Sequence, residues 1–362
     1  MKEDLLLMIP GPTIVHPRIT RAMTTPIVPH RGKEFADMFV RQTARLQSVF
    51  KTKNDIFILC GSGTAAMEAG LCNAVAAGEK VLCLTNGKFS ERFSEIASAF
   101  GYNLITLNFE WGTAVSPEKV QEALAADPDI KAVTMVYNET STGVKNPVKE
   151  IGEIVKNTNA ILIVDTISAL AGDEFRTDEW NVDICATGSQ KCFALPPGLA
   201  FISVSKKAWA MFESTDTPTY YLDLLRYRKD KAKAPYTPPV SLVYALEASL
   251  DIIDEEGIEA RVARHRRMAD KVRSEIASMG LELFPASEHI CSNTVTAIKV
   301  PDDIDEPTLR SRLRNEYKIE IAGGQAQLKG KIIRIGHMGI VGDKEVAATI
   351  TCLKEVIASM RA

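Results

Sequence analysis

The sequence has no C-x-x-C pair, no apolar run of membrane-spanning length, no excess of one charge sign, no low-complexity tract and no internal repeat. Each absence removes a class of function. Seven cysteines are scattered at positions 60, 72, 83, 185, 192, 291 and 352, most of them in apolar stretches where a thiol behaves as a small hydrophobe. An odd, unpatterned set argues against a disulfide framework and a structural zinc site, and for a reducing compartment. The charges, 46 acids against 43 bases for a net of −3, argue against a nucleic-acid or membrane-surface protein. The basic runs "RYRKDKAK" (226–233) and "RVARHRRMADKVR" (261–273) read as a solvated loop and a solvated helix face. No stretch approaches the roughly 18–20 apolar residues that a membrane span needs. The five apolar residues before Pro10 in "MKEDLLLMIPGP" are too few for a signal peptide. The expectation is a cytoplasmic protein with no nucleic-acid partner, no membrane partner and no metal.

What is present is an ordinary globular composition, 46% hydrophobic and 25% charged over 362 residues. That length suits about two domains and a large core. Short β-rich runs recur at 55–60, 80–85, 103–109, 132–138, 160–166, 183–188 and 199–205, with helical patterns between the first five. Continuous apolar strands separated by helices predict an α/β fold with a mostly parallel seven-stranded sheet covered on both faces. The last two runs are joined only by a short turn, so that pair is expected to be antiparallel. After Pro239 come two helical patterns with Gly257 between them. Strand, helix, strand and helix patterns beyond Gly280 predict a smaller α+β C-terminal domain. The expected division is an N-terminal extension at 1–16, a large domain at 17–256 and a small domain at 257–362.

Three features fall at predicted strand ends, where a parallel sheet binds its ligands. "GSGTAAMEA" (61–69) opens a helix, and the backbone of Ser62, Gly63 and Thr64 there suits an anion. It also fits G-x-G-x-x-A, but no acid ends the second strand, so a phosphate monoester is preferred to a dinucleotide. Asp165 ends the strand "ILIVD" and needs a partner if buried. Lys191 sits in the small, polar turn "GSQKCFALPPG" between two apolar strands. Taken singly these are a capped turn, a turn aspartate and a surface lysine. Together, a phosphate cradle, an acid and an amine point to pyridoxal phosphate.

The segments "PGPTIVHPRI", "GSGTAAMEA", "TNGKFSER", "ETSTGV", "VDTISALAG", "GSQKCFALPPG" and "RIGHMG" resemble, in order and across nearly the whole chain, the class V, fold type I pyridoxal-phosphate-dependent aminotransferases of the alanine/serine–glyoxylate (pyruvate) type. The resemblance implies a homodimer with shared active sites and ping-pong transamination between an amino acid and a 2-oxo acid. It makes Lys191 the Schiff-base lysine and gives Asp165 the pyridine nitrogen. Ser62, Gly63, Thr64 and Gln190 would hold the phosphate, with Thr237 reaching it from the neighbouring subunit. Thr140 would lie near the phenolic oxygen, with Ile167 on one ring face. Phe89 would stand on the other, where several relatives carry tryptophan. Arg334 would hold the substrate carboxylate. "KAPYTPPV" (233–240) departs from the "YHHTxP" of many relatives, and Tyr236 is expected to stand in on the substrate side. Aspartate or 2-aminoethylphosphonate as donor, and a cysteine desulfurase-like lyase, are the alternatives. Cys291 in "EHICSNTVT" leads into a strand and reads as structural, which disfavours the lyase.

Overall fold

The structure, a computed structural model, describes residues 5–231 and 233–362. Residues 1–4 of the expected N-terminal extension and Ala232 of the basic run 226–233 lie outside the described residues.

Apolar runs and helical patterns fold as a β/α succession. β1 (Leu6–Leu7), α1 (Pro17–Ala22) and α2 (Lys33–Phe50) come first. β2 (Asp55–Gly61), α3 (Gly63–Ala74), β3 (Lys80–Thr85), α4 (Lys88–Ala99), β4 (Asn103–Asn108), α5 (Pro117–Ala126) and β5 (Ile130–Val136) follow. A short hairpin of β6 (Asn138–Glu139) and β7 (Val144–Lys145) precedes α6 (Val148–Val155), β8 (Ile161–Asp165), β9 (Ile184–Gly188) and β10 (Gly198–Val204). Then come α7 (Lys206–Ser214), α8 (Leu224–Lys229), α9 (Val240–Glu256) and α10 (Ile258–Ser278). The chain ends with β11 (Val295–Lys299), α11 (Glu306–Tyr317), β12 (Ile319–Glu320), β13 (Ala322–Gly323), β14 (Ile332–Gly336) and α12 (Asp343–Arg361).

Seven strands form the central sheet in the order β2-β10-β9-β8-β5-β3-β4. Only β10 runs against its neighbours, pairing antiparallel with both β2 and β9. Side chains alternate between two cores, as a sheet buried on both faces requires. Ile56, Ile58, Leu82, Leu84, Leu162 and Phe201 enter one core, while Phe57, Leu59, Val81, Ile161, Ile163 and Ile202 enter the other. A third core forms beyond α9, where Val272, Ile276, Ile333, Ile335 and Leu353 pack around the antiparallel sheet β11-β14-β13. The N-terminal segment joins this third core rather than standing apart. β1 pairs in parallel with β12, and Met8 is fully buried there.

Helix ends follow local chemistry. Ser116 caps α5, its hydroxyl accepting from Lys119 N at 3.2 Å, with Pro117 in the first turn. Gly257, at φ +79°, separates α9 from α10, a backbone conformation that a side chain would strain.

The turn between β9 and β10 is anchored from below by Phe193, whose ring lies 5.0 Å from that of Phe201 in β10. Both rings are almost fully buried. Phe201→Ala is expected to destabilise the fold by about 3–5 kcal/mol through lost burial and a residual cavity. The denaturation midpoint, compared with wild type, measures it.

Candidate active site

Ser62, Gly63, Thr64, Asp165, Gln190 and Lys191 stand at the carboxyl ends of β2, β8 and β9. Ser62 follows β2 and is the N-cap of α3, in an extended conformation, yet its hydroxyl makes no capping bond. Ala65 N turns back to the Ser62 carbonyl at 2.8 Å, while the Gly63 and Thr64 N–H groups ahead of it have no partner within the helix. Gly63 lies so close to Ile167 that a Cβ would come within 2.5 Å of its Cδ1. Larger residues are therefore excluded where the helix N-terminus meets the loop after β8.

Asp165 ends β8 and is 3% exposed. Burial pushes its carboxyl up to about 7, against the Ile167 N–H bond at 2.7 Å, and the Glu139 charge adds to the rise. Arg92 and Lys191 pull it the other way. Lys191 lies in the turn after β9, and burial takes its ammonium down to about 8. Its Nζ donates to the Pro10 carbonyl. A Cβ on Gly11, at φ +109°, would come within 2.6 Å of Lys191 Cδ, so only glycine lets the N-terminal segment pass this close. The turn's own carbonyls are tied down. Gln190 O accepts from Thr13 N at 3.1 Å, and Lys191 O accepts from Thr13 Oγ1 at 3.0 Å and Ala194 N at 2.8 Å. Cys192 O and Phe193 O each accept at 2.6 Å, from Arg261 Nη2 and Ser249 Oγ.

Phe89 opens α4, held by a buried carboxylate. Glu139 accepts from Phe89 N at 3.1 Å and Ser90 N at 2.8 Å, serving the helix N-terminus from another element. Thr140 Oγ1 donates to Ser168 Oγ at 2.7 Å. Asn138 Nδ2 donates to Ser168 Oγ at 2.8 Å and to Thr294 Oγ1 at 2.9 Å.

One cavity of about 110 Å³ gathers Ser62, Gly63, Thr64, Phe89, Thr140, Asp165, Ile167, Gln190 and Lys191. Arg92, Asn138 and Ser168, which sequence reasoning did not single out, complete its wall. Arg92 lies three residues after Phe89 on the same helix face, its guanidinium carbon 5.2 Å from the ring centre and Nη1 3.3 Å from Thr64 Oγ1.

Arg334 on β14 is not part of that wall but touches it, Nη1 donating to the Thr140 carbonyl at 3.0 Å. Nε and Nη2 donate to Gly323 O at 3.0 and 2.8 Å. Three of its five N–H groups are thus engaged, leaving one on each terminal nitrogen without a partner among these bonds. Burial lowers its guanidinium to about 10, so it stays charged at neutral pH.

Tyr236 and Thr237 are not brought to the cavity of their own chain. Thr237 is exposed, and the Tyr236 ring stacks 5.0 Å from that of Tyr221. Both line a shallow hollow with Cys60 and Leu59 on the outer side of β2.

The cavity fits pyridoxal phosphate by its chemistry. Gln190 Oε1 and Asn138 Oδ1 are buried there without a partner. A serine N-cap whose hydroxyl makes no capping bond faces the same space as a buried acid and a half-buried amine. A larger cleft between α2 and α10, lined by Val49, Ala171, Phe175, Ile258 and Val262, brings no buried amine together with its acids.

A family model described as aminotransferase class-V matches residues 20–340. The chain is 50% identical over 353 residues to an uncharacterized aminotransferase of Methanocaldococcus jannaschii, covering 96% of this chain and 91% of that one. It is 35% identical over 356 residues to a serine–glyoxylate aminotransferase of Methylorubrum extorquens, covering 95% and 89%. Among solved structures, ureidoglycine–glyoxylate aminotransferase from Bacillus subtilis matches with a TM-score of 0.94 at 32% identity, over 100% of this chain and 95% of that one.

Because burial favours the neutral amine, the reactive fraction of Lys191 grows as pH climbs through about 8. The rate at which the cofactor-free protein captures pyridoxal phosphate is expected to follow that titration. A midpoint above 10 would mean that the amine is solvated.

Proposed function

The chain belongs to the class V aminotransferases, enzymes that use pyridoxal phosphate, and from that premise we propose that it moves the amino group of alanine or serine to glyoxylate or pyruvate in two half-reactions. The observation that carries this reading is one cavity holding a half-buried amine whose pKa is brought down to about 8, a buried acid and a helix N-terminus with no side-chain cap. The two glyoxylate-using relatives are named for different donors and the same acceptor, which supports glyoxylate on the acceptor side.

Ser62, Gly63, Thr64 and Gln190 would hold the phosphate and Asp165 the protonated ring nitrogen. Ile167 and Phe89 would take the two ring faces, and Thr140 would lie by the phenolic oxygen. When bound, pyridoxal phosphate supplies an aldehyde carbon that links to amines and a ring that accepts the electron pair released at the substrate Cα. The protein supplies binding, orientation and proton transfer. Arg334 offers its two free N–H groups to the substrate carboxylate, a match that lysine does not provide. Lys191 Nζ takes the proton from the substrate Cα and holds it until it is handed on, a task that suits an amine whose pKa burial has brought to about 8. Asp165, shielded from water, keeps a cation beside it rather than a solvated neighbour. The 2-oxo acid presents a carboxylate of the same shape, so the same groups serve the return half-reaction.

In a homodimer with shared sites, Thr237 and Tyr236 complete the partner's cavity, the first at the phosphate and the second on the substrate side. The exposure of Thr237 and the partial exposure of Tyr236 in a single chain suit that role. Residues 17–256 serve as the large cofactor-binding domain and 257–362 as the small domain that carries Arg334. We place the enzyme in the cytoplasm, where seven unpaired cysteines are stable. Cys291 does not suit a desulfurase nucleophile. It is buried, burial pushes its thiol up, and its Sγ donates to Ser287 O at 3.6 Å.

Loaded enzyme mixed with one amino acid at a time is expected to release the matching 2-oxo acid stoichiometrically from alanine or serine. Oxaloacetate from aspartate, or phosphonoacetaldehyde from 2-aminoethylphosphonate, with no product from alanine or serine, would reassign the donor, and sulfide from cysteine would overturn the reaction class. Lys191→Ala is expected to lower turnover by about a thousandfold or more. Arg334→Ala is expected to raise KM for the amino acid by about ten- to a hundredfold while cofactor retention holds.

A further inference from the structure

Outside the cavity, four side chains at the junction of α9 and α10 converge on both halves of the site. Glu256 is the last residue of α9. Its carboxylate receives two guanidiniums, Arg261 Nη1 at 2.7 Å and Arg264 Nε and Nη2 at 2.6 and 3.0 Å. Arg261, 1% exposed, donates from Nη2 to Cys192 O at 2.6 Å and from Nε to Ala171 O at 3.0 Å. Cys192 follows Lys191, and Ala171 lies in the segment that leaves Asp165. Arg264 donates to Gly339 O at 3.0 Å and to Val341 O. Both carbonyls lie on the loop that leaves β14, the strand of Arg334. His265, fully buried, secures the same loop by accepting from Gly339 N at 3.1 Å while its Nδ1 bonds Arg261 O at 2.8 Å. A Cβ on Gly339 would lie 3.4 Å from the Lys191 carbonyl, so loop and turn are in contact.

Burying a guanidinium against one carboxylate is a poor route to stability, because desolvation offsets the attraction. What the arrangement adds is direction. A planar fork with several donors fixes where two carbonyls stand relative to each other. We propose that Glu256 is a positioning residue that holds the Lys191 turn through Arg261 and the Arg334 loop through Arg264, so that the amine and the carboxylate-binding guanidinium keep one spacing. This rests on the reading of Lys191 and Arg334 given above. An α-amino acid has a fixed distance from carboxylate to Cα proton, so the spacing of the two residues decides whether that proton is within reach. A misplacement near 1 Å costs on the order of a hundredfold in rate.

Glu256→Gln keeps the shape and removes the charge. Glu255→Gln is the control, because Glu255 is 60% exposed and pairs with Arg18 at the surface. In the cofactor-free protein, amide exchange at Ala194 and at Gly339 is expected to speed together by about tenfold in E256Q, and not in E255Q. In the loaded enzyme, kcat/KM for the amino acid is expected to fall about tenfold, mostly through KM, with cofactor retention within about twofold of wild type. Arg264→Lys, which keeps the charge and loses the fork, is expected to free Gly339 alone. Equal kcat/KM in E256Q and wild type, or faster exchange at neither segment or only one in E256Q, would overturn the proposal. An unchanged KM in Arg334→Ala would instead overturn the substrate reading, and the exchange result would still decide whether Glu256 links the two segments.

Discussion

The site depends on desolvation. An ammonium and a carboxyl share one cavity, and neither is bonded to the other. Burial brings Lys191 down to about 8 and Asp165 up to about 7, so both stand close to the point of changing charge. Solvated, each would be fixed in its ionised form at neutral pH. Holding them there requires that water be kept out and that the backbone carrying them not relax. The structure meets the second demand with hydrogen bonds. The carbonyls of four successive residues in the Lys191 turn all have donors, from the N-terminal segment, the turn itself, α9 and α10. The core beneath, where Phe193 meets Phe201, gives the turn a rigid floor.

The same logic explains why the N-terminal segment matters. Pro10 supplies the carbonyl that Lys191 meets, Gly11 makes room for the lysine side chain, and Thr13 binds the turn. That segment is held in place by β1, paired with β12, and by Met8 in the third core. The sheet of β14 reaches the amine by two routes, through Gly336 N, which donates to the Met8 carbonyl of the N-terminal segment at 2.8 Å, and through the Arg264–Gly339 contact. Arg334, on the same sheet, is already bonded to the Thr140 carbonyl at the cavity wall.

Much of this was legible in the sequence, for physical reasons. Strands buried on both faces leave apolar runs with sharp edges, so 80–85 is found as read and the other sheet strands shift by one or two residues. The antiparallel β10 was readable because its connection to β9 is too short for a crossover. Asp165 and Lys191 stood out because a charged residue at the end of an apolar strand is costly unless used. Arg92, Asn138 and Ser168 gave no such signal. Each is an ordinary polar residue with hydrogen-bond partners from other elements, Thr64 for Arg92 and Ser168 for Asn138. "RVARHRRMADKVR" misled in part. Its periodicity suggested a solvated helix face, yet Arg261 and His265 are buried, because their partners are backbone carbonyls and amides that no sequence pattern announces. Tyr236 and Thr237 stand outside the cavity of their own chain.

The central claim is that one amine, at position 191, is the covalent anchor for the cofactor. Borohydride reduction of cofactor-saturated protein, followed by peptide mass spectrometry, tests it directly. The account predicts a single stably modified lysine, Lys191. Modification of another lysine, with Lys191 recovered unmodified, would contradict it.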